Sequence, residues 1–366
     1  MPFDRHVFKE LLGRGTSIIS DNPDAPELLH DAVECEAVYV SDQHFISPFC
    51  NSRSFSSFLS HIKPKNIFLG GDLFNSWRGN YDIYKLHQKD PFQADVCLKL
   101  SEFARHGVNV VLTPGNHDER IDAKRHALLL GGITITPEAS YTTPEGQRIL
   151  VLHGHQFDSI PFGHLIISPF GALACEAIGS VSTHIRKWGA DKKIQRVLAS
   201  VGFRKRWSLT TALQKAYQCT SYKDHFERAS LKCLFAANAR IAAKNELGTE
   251  QPEAYYTKIV CGHTHLACMR EVSSPRDKNG KPLGPEKVTY ANTGCWSGLF
   301  KNNEGAGRVF APYFPNNTAF IAFSDGRFDP VQWIPSIGLI RPRLRSNGLF
   351  KGAFSKKAAR AMMLQS

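Results

Sequence analysis

Five short runs of apolar residues occur along this sequence, and each leads into a loop that carries aspartate, asparagine or histidine. The runs are rich in β-branched residues and leucine, and runs of this length predict buried strands. Residues 54–62 and 91–106 lie between runs and are predicted helices. Strands that alternate with helices predict an α/β sheet, and such sheets place their functional sites at the carboxyl ends of the strands. The five runs are residues 37–40, 66–69, 109–112, 149–152 and 258–260.

The remaining segments do not follow this alternation. We expect a short helix around residues 25–33, and strands at 288–292 and 319–323 that complete a second sheet. Residues 160–181 are apolar, a dense run of lysine and arginine follows, and residues 209–247 have a helical pattern without proline. The sequence therefore predicts a leader (1–35), a core (36–158 and 256–335), a basic helical cap inserted into that core (159–255) and a basic C-terminal tail (336–366).

The loops after the five runs offer four imidazoles, two carboxylates and one amide oxygen. Each motif alone is also typical of a tight turn, but five of them in order, each after a strand, favour a metal centre. A mixed set of nitrogen and oxygen donors suits Mn, Fe, Zn or Co better than Ca or Mg. Seven ligands are too many for one ion but suit two ions that share a carboxylate, an arrangement typical of phosphoester and phosphoanhydride hydrolysis. The candidate ligands are Asp42, His44, Asp72, Asn116, His153, His263 and His265.

In this order the motifs resemble those of the calcineurin-like metallophosphoesterase superfamily over residues 36–325. The motifs are Asp42-x-His44, Gly71-Asp72, Gly115-Asn116-His117-Asp118, His153 and Gly262-His263-x-His265. The resemblance implies an α/β fold, a four-layer α-β-β-α sandwich in which helices flank two central sheets, here with the helical cap insertion.

The same resemblance implies a role for each ligand. One metal ion would be held by Asp42, His44, Asp72 and His265. The other would be held by Asn116, His153, His263 and again Asp72, which would bridge the two ions. His117 would approach the substrate phosphate, either stabilising the charge of the transition state or protonating the leaving oxygen.

One branch of the superfamily resembles this chain more closely, the UDP-2,3-diacylglucosamine pyrophosphatases of lipid A biosynthesis. Trp77 and Gly79 after the second motif, the long insertion and the stretch Tyr290-x-Asn292-x-Gly294-x-Trp296 carry this resemblance. It implies hydrolysis of the pyrophosphate in UDP-2,3-diacylglucosamine to UMP and 2,3-diacylglucosamine 1-phosphate, at the cytoplasmic face of the membrane. It also implies Mn²⁺ as the metal and a cap that holds the acyl chains.

Three positions depart from these patterns. Asn75 stands where many members carry an acid that orients the histidine of the third motif, His117 stands where the diacylglucosamine branch often has arginine, and His155 replaces a frequent acid. Asn116 and His117 are the predicted substrate contacts in the core. Lys215, near the start of the predicted long helix, is the candidate contact to phosphate or sugar in the cap.

The composition bears on partners and compartment. The net charge is +12, concentrated in the cap and tail with few aromatic residues among the basic ones. This pattern favours a lipid-linked UDP-sugar substrate and an anionic membrane surface over nucleic acid. Nine cysteines scattered singly, with no evident signal peptide and no uninterrupted apolar run long enough for a membrane span, predict a cytoplasmic protein on the membrane's inner face.

Two other functions remain open from the sequence. A phosphodiesterase or nuclease of the same superfamily, acting on another phosphodiester, is consistent with the positive charge. A catalytically inactive basic module that binds membranes is the non-enzymatic alternative. A protein phosphatase is disfavoured, because the second motif lacks the Asp-Arg-Gly that such enzymes usually carry.

Overall fold

The chain folds around two β-sheets, seen here in a computed structural model. It describes residues 27–29, 32–47, 50–75, 86–88, 90–118, 131–157, 220–247, 252–276, 280, 282–297, 317–334 and 338–342. Residues 159–219 of the predicted cap, including Lys215, and the predicted tail beyond residue 342 lie outside these ranges.

The larger sheet has eight strands. In spatial order they are β1 (Glu27–Leu29), β13 (Gly338–Arg341), β12 (Phe328–Ile334), β11 (Thr318–Ala322), β2 (Val33–Val40), β3 (Ile62–Leu69), β4 (Asn109–Leu112) and β5 (Thr134–Ile135). Strands β2 to β5 are parallel, whereas the pairings from β2 through β11, β12 and β13 to β1 are antiparallel. The parallel half therefore brings the carboxyl ends of β2, β3 and β4 to one edge.

The smaller sheet has five strands. In spatial order they are β6 (Ala139–Thr142), β7 (Arg148–Val151), β8 (Tyr256–Cys261), β10 (Lys287–Asn292) and β9 (Cys268–Ser273). Its three central strands, β7, β8 and β10, are parallel, and the two outer strands pair antiparallel with them.

Side chains alternate along the strands between two apolar layers. In β2, Ala37 and Tyr39 pack with residues of the smaller sheet, whereas Val38 and Val40 pack with the helices on the other side. This alternation follows from the two-residue period of a strand, and it shows that both faces of the larger sheet are covered.

Helices cover the outer faces of the two sheets. They are α1 (Ser52–Leu59) and α2 (Pro91–Arg105) on the larger sheet, and α3 (Thr220–Glu246) on the smaller one; a short 3₁₀-helix spans His155–Phe157. Helix α2 begins where predicted, because Asp90 caps it by accepting a hydrogen bond from the Phe92 N–H at 3.0 Å. Two sheets with flanking helices confirm the predicted α/β class.

Trp296 joins layers that are distant in sequence. It is fully buried, its ring lies 4.9 Å from that of Phe55 and 5.1 Å from that of Phe58, and its indole N–H donates to the Thr318 carbonyl at 3.0 Å. The loop after β10 is thereby fastened both to α1 and to β11.

Three predictions outside the motif strands were wrong. Residues 27–29 form strand β1 instead of part of a helix, and β1 pairs with β13 in the segment predicted to be tail. Leu339 in β13 is only 1% exposed. The strand predicted at 288–292 lies in the smaller sheet as expected, whereas the one predicted at 319–323 belongs to the larger sheet, between β2 and β12. No described helix is long and apolar enough to cross a membrane.

Candidate metal centre

The loops that follow β2, β3, β4, β7 and β8 meet at one edge of the two sheets. Backbone hydrogen bonds tie them together: Asp42 N–H donates to the Gly71 carbonyl at 2.9 Å, and His44 N–H to the Asp72 carbonyl at 2.8 Å. Across the smaller sheet, Gly262 N–H donates to the His153 carbonyl at 3.0 Å. The parallel strands thus bring the predicted ligands of all five loops to this edge.

A first cluster consists of Asp42, His44 and His265. The Nε2 atoms of the two histidines are 3.1 Å apart, and Asp42 Oδ1 lies 3.1 Å from His265 Nε2 and 3.8 Å from His44 Nε2. Their ligand atoms all lie within 4.8 Å of one another, a spacing that could hold one metal ion.

A second cluster consists of Asp72, His153 and His263, again with ligand atoms within 4.8 Å of one another. Asp72 Oδ2 is 3.4 Å from His153 Nε2, and it is also 3.7 Å from His44 Nε2 of the first cluster. Asp72 therefore lies between the two clusters, as a bridging carboxylate must. Asn116 follows Gly115 in the loop after β4, beside His117, and is partly buried.

The outward nitrogen of two histidines is committed to a hydrogen bond. His153 Nδ1 lies 2.7 Å from the Gly70 carbonyl, and His44 Nδ1 lies 3.2 Å from Asn75 Oδ1. Both oxygens can only accept, so each Nδ1 carries the hydrogen. In the neutral ring this leaves the Nε2 lone pair facing the cluster, which is the tautomer that binds a metal.

The outer oxygens of the carboxylates are held in the same way. Asp42 Oδ2 accepts hydrogen bonds from the Ser41 hydroxyl and from the His263 N–H at 3.0 Å, and Thr293 Oγ1 lies 2.5 Å behind the Ser41 hydroxyl. Asp72 Oδ1 accepts from the His117 N–H at 2.9 Å. Each carboxylate thus directs its other oxygen towards the histidines.

The inward-facing atoms fit a cation. Asp42 Oδ1 and His153 Nε2 are buried and face the cluster, where Asp42 Oδ1 lies 3.1 Å from His265 Nε2 and His153 Nε2 lies 3.4 Å from Asp72 Oδ2; neither atom has another hydrogen-bond partner within the described part of the chain. Buried lone pairs without a hydrogen bond are costly unless a positive charge compensates them. The donor set of imidazole nitrogens and carboxylate oxygens therefore suits divalent transition metals.

Electrostatics support the same interpretation. Burial disfavours protonation of His153, but the carboxylates of Asp72 and Asp42 outweigh it and raise the pKa of His153 to about 9. Burial also opposes ionisation of Asp72, yet the surrounding histidines hold its pKa well below the usual range. Burial lowers the pKa of His44 to about 3, although Asp72 opposes this. Two buried carboxylates thus demand positive charge, which metal ions or protons would supply.

The backbone at the site is strained. Five of the seven predicted ligands have φ in the left-handed region, with values of 58° at Asp42, 52° at His44, 52° at Asp72, 67° at His263 and 57° at His265. Non-glycine residues rarely adopt this conformation, and where it persists the surrounding structure imposes it.

Two motif glycines are required by close approach to the carboxylates. A Cβ at Gly115 would overlap Asp72 Oδ1, and one at Gly262 would lie 2.5 Å from Asp42 Oδ2. These contacts explain the glycines in Gly-Asn-His and Gly-His-Thr-His sterically.

His117 lies beside both clusters and is oriented by Asn75. Its Nδ1–H donates to Asn75 Oδ1 at 2.8 Å, and its Nε2 lies 3.9 Å from Asp72 Oδ2. Burial lowers the pKa of His117, despite the nearby Asp72. Asn75 is an amide at the position where many superfamily members carry an acid, and its oxygen orients the His117 ring. His155, the other departure, lies in the 3₁₀-helix with its ring 5.5 Å from that of His153.

Several supporting residues were missed from sequence. Asp118 is fully buried and accepts hydrogen bonds from the N–H groups of Phe74 at 2.8 Å, Leu73 at 3.1 Å and Gly115 at 3.2 Å, which joins the loops after β3 and β4. Burial and the charge of Asp72 raise the pKa of Asp118 to about 7. Its position in Gly-Asn-His-Asp was a usable signal, as was Ser41 directly before Asp42.

The sequence profile described as Calcineurin-like phosphoesterase matches residues 37–267. This chain belongs to that family. The family assignment from the ordered motifs is therefore confirmed. Family members use divalent metals, and the two clusters of this calcineurin-like phosphoesterase could bind them.

Among curated proteins, this calcineurin-like phosphoesterase is similar to UDP-2,3-diacylglucosamine hydrolases. It is 29% identical over 126 residues to one from Yersinia enterocolitica serotype O:8 / biotype 1B, a match that covers 34% of this chain and 45% of the relative. It is 30% identical over 120 residues to one from Pectobacterium atrosepticum, a match that covers 32% of this chain and 47% of the relative. The chain thus spans just under half the length of these relatives.

Among solved structures, a NAD nucleotidase from Haemophilus influenzae is 10% identical, with coverage of 90% of this chain and 62% of that one. Its TM-score of 0.28 is too low to support any argument.

Proposed function

We propose that this protein cleaves the pyrophosphate bond of UDP-2,3-diacylglucosamine and releases UMP and 2,3-diacylglucosamine 1-phosphate. The observation that carries the proposal is the pair of His/Asp clusters that share Asp72 in a calcineurin-like fold. The choice of substrate is supported by the sequence resemblance to the diacylglucosamine branch and by the names of the curated relatives.

In this proposal two divalent ions occupy the clusters, and Mn²⁺ is the first choice of metal. Asp42, His44 and His265 would hold one ion, Asn116, His153 and His263 the other, and Asp72 both. A bound pair of this kind polarises a phosphoryl oxygen and supplies a nucleophile from water near neutral pH. The residues behind the ligands fix their orientation: Ser41 for Asp42, the Gly70 carbonyl for His153 and Asn75 for His44.

His117 is the residue that we propose to act on the phosphate itself. Asn75 holds its Nδ1–H, so Nε2 is the atom that faces the cluster, 3.9 Å from Asp72 Oδ2. Protonated at Nε2, the ring would stabilise negative charge on a phosphoryl oxygen or donate a proton to the leaving oxygen. Asn75 would tolerate that protonation, because its oxygen keeps accepting from Nδ1 in either state.

The membrane side of the proposal depends on the sequence. The basic cap and tail would place the protein peripherally on the inner face of the cytoplasmic membrane, against anionic head groups, with the acyl chains in the cap and Lys215 on a phosphate or the sugar.

The deciding experiment compares two substrates with Mn²⁺ present: UDP-2,3-diacylglucosamine, followed by UMP release, and a chromogenic phosphodiester. We expect efficient Mn²⁺-dependent UMP release that is lost in Asp72→Ala. Hydrolysis of the simple diester with the lipid left intact would refute the substrate assignment while keeping the family chemistry. No metal-dependent hydrolysis of either would refute the enzymatic function.

A further inference from the structure

Helix α3 contacts the metal centre through the aromatic side chain of Phe226. This residue is 1% exposed, and its ring lies 5.9 Å from that of His263 with an interplanar angle of 30°. Phe226 also contacts Phe157 of the 3₁₀-helix edge-on, with ring centroids 5.9 Å apart and an interplanar angle of 77°. Phe226 is therefore packed between an apolar neighbour and a predicted metal ligand.

Among the described residues, two aromatic rings lie against the His263 ring. Besides Phe226, the imidazole of His153 lies 5.1 Å away at 72°. The edge-on and near-parallel arrangements are both favourable for aromatic pairs. His263 also has a left-handed backbone, with φ of 67°. Packing on its ring contributes to fixing where the ring nitrogens point.

Gly154 shows how closely Phe226 approaches the site. This glycine directly follows His153, has φ of 108°, and a Cβ on it would overlap Phe226 Cζ and lie 3.1 Å from Cε2. The absence of a side chain at Gly154, next to His153, thus leaves the space that the Phe226 ring occupies beside His263. Helix α3 is joined to the same region a turn later, where Cys261 Sγ lies 3.8 Å from Ser230 Oγ.

We propose that Phe226 is a positioning residue, which holds the imidazole of His263 in the orientation that ligates the second metal ion. The inference rests on the proposed role of His263 as a ligand. It gives α3 a function beyond covering the smaller sheet: the helix that directly follows residues 158–219 along the chain sets the geometry of half of the metal centre.

The test compares Phe226→Leu, which keeps an apolar side chain but removes the ring, with Leu234→Ala. Leu234 lies two turns further along α3, is fully buried in the same apolar cluster and is not among the residues of the metal centre. Mn²⁺ affinity is measured by competition with a chelating dye, and the midpoint of thermal unfolding is measured with and without Mn²⁺.

We expect Leu234→Ala to lower the metal-free midpoint but to keep both Mn²⁺ affinities and the rise in midpoint on metal addition. Phe226→Leu should weaken one of the two affinities by about tenfold or more and reduce that rise, in line with the usual effect of residues that support ligands. If Phe226→Leu does not fold, Phe226→Met takes its place in the test, because the flexible methionine side chain refills the space.

An equal response of the Phe226 and Leu234 variants to Mn²⁺ would overturn the positioning role. That outcome differs from failure of the proposed function, in which the unmodified protein would bind no pair of ions or would leave UDP-2,3-diacylglucosamine intact, whatever the Phe226 variant does.

Discussion

Replacing Asn75 with leucine removes one oxygen that serves two histidines. Asn75 is 3% exposed, and its Oδ1 accepts from the Nδ1–H of His44 at 3.2 Å and of His117 at 2.8 Å. Its Nδ2 in turn lies 3.4 Å from the carbonyls of His44 and Phe45, which fixes which end of the amide faces the rings. Leucine has a similar size but can accept no hydrogen bond.

The size of the effect follows from the two donors that lose their acceptor. A buried donor left without a partner costs about 1–3 kcal/mol. If each ring forfeits about 2 kcal/mol, Mn²⁺ binding through His44 and the turnover that depends on His117 should each fall roughly 30-fold, at about 1.36 kcal/mol per factor of ten. Asn75→Asp keeps an acceptor oxygen and should restore most of both.

The assay measures Mn²⁺ affinity and the kcat for UMP release separately. The matched control is Asn238→Leu, since Asn238 is fully buried and makes two side-chain hydrogen bonds to the backbone of Tyr256, at 2.8 and 2.9 Å, at the start of β8 away from the site. The control should lose stability without losing affinity or turnover. If Asn75→Leu changed affinity and kcat no more than Asn238→Leu, the shared-acceptor explanation would be refuted.

Three further predictions follow from the structure. Asp72→Ala should lose both ions, because its Oδ2 faces both clusters, and elemental analysis of the purified protein would count them. Mn²⁺ uptake at about pH 8 should release protons, because the pKa of His153 without metal is about 9 and ligation needs the neutral ring. Mn²⁺ affinity should therefore fall as the pH falls. Calorimetry in two buffers of different ionisation enthalpy detects the released protons. Burial raises the pKa of Cys97 to about 12. Maleimide should therefore not label Cys97 in the native protein at about pH 8, which mass spectrometry would show.

The convergence of the candidate ligands could be predicted from sequence because the fold repeats one local arrangement. Parallel strands that each end in a polar loop must place those loops at one edge, so the sequence alone predicts that Asp42, Asp72 and Asn116 lie near one another. His153 and His263 follow β7 and β8, a second parallel pair. Local apolar runs were enough to locate all five strands.

The rest depended on contacts between residues far apart in sequence. Strand β1 has three residues, too few to show any periodicity, and exists because β13 pairs with it. The double role of Asn75 depends on the left-handed backbone at His44 and on the approach of the loop after β4, neither of which a local pattern encodes. The same holds for Thr293 behind Ser41, since these residues come from different sheets.

The place of β2 in the larger sheet has a consequence for how the chain acquires its structure. This strand carries Asp42 and His44 on its following loop, yet one of its two neighbours is β11, near the far end of the described chain. Pairings between such distant segments close large loops and slow folding. We therefore expect one edge of β2 to stay unpaired during synthesis until β11 has left the ribosome. We expect slow refolding of the intact chain in stopped-flow experiments, with Mn²⁺ captured only after that late strand has docked.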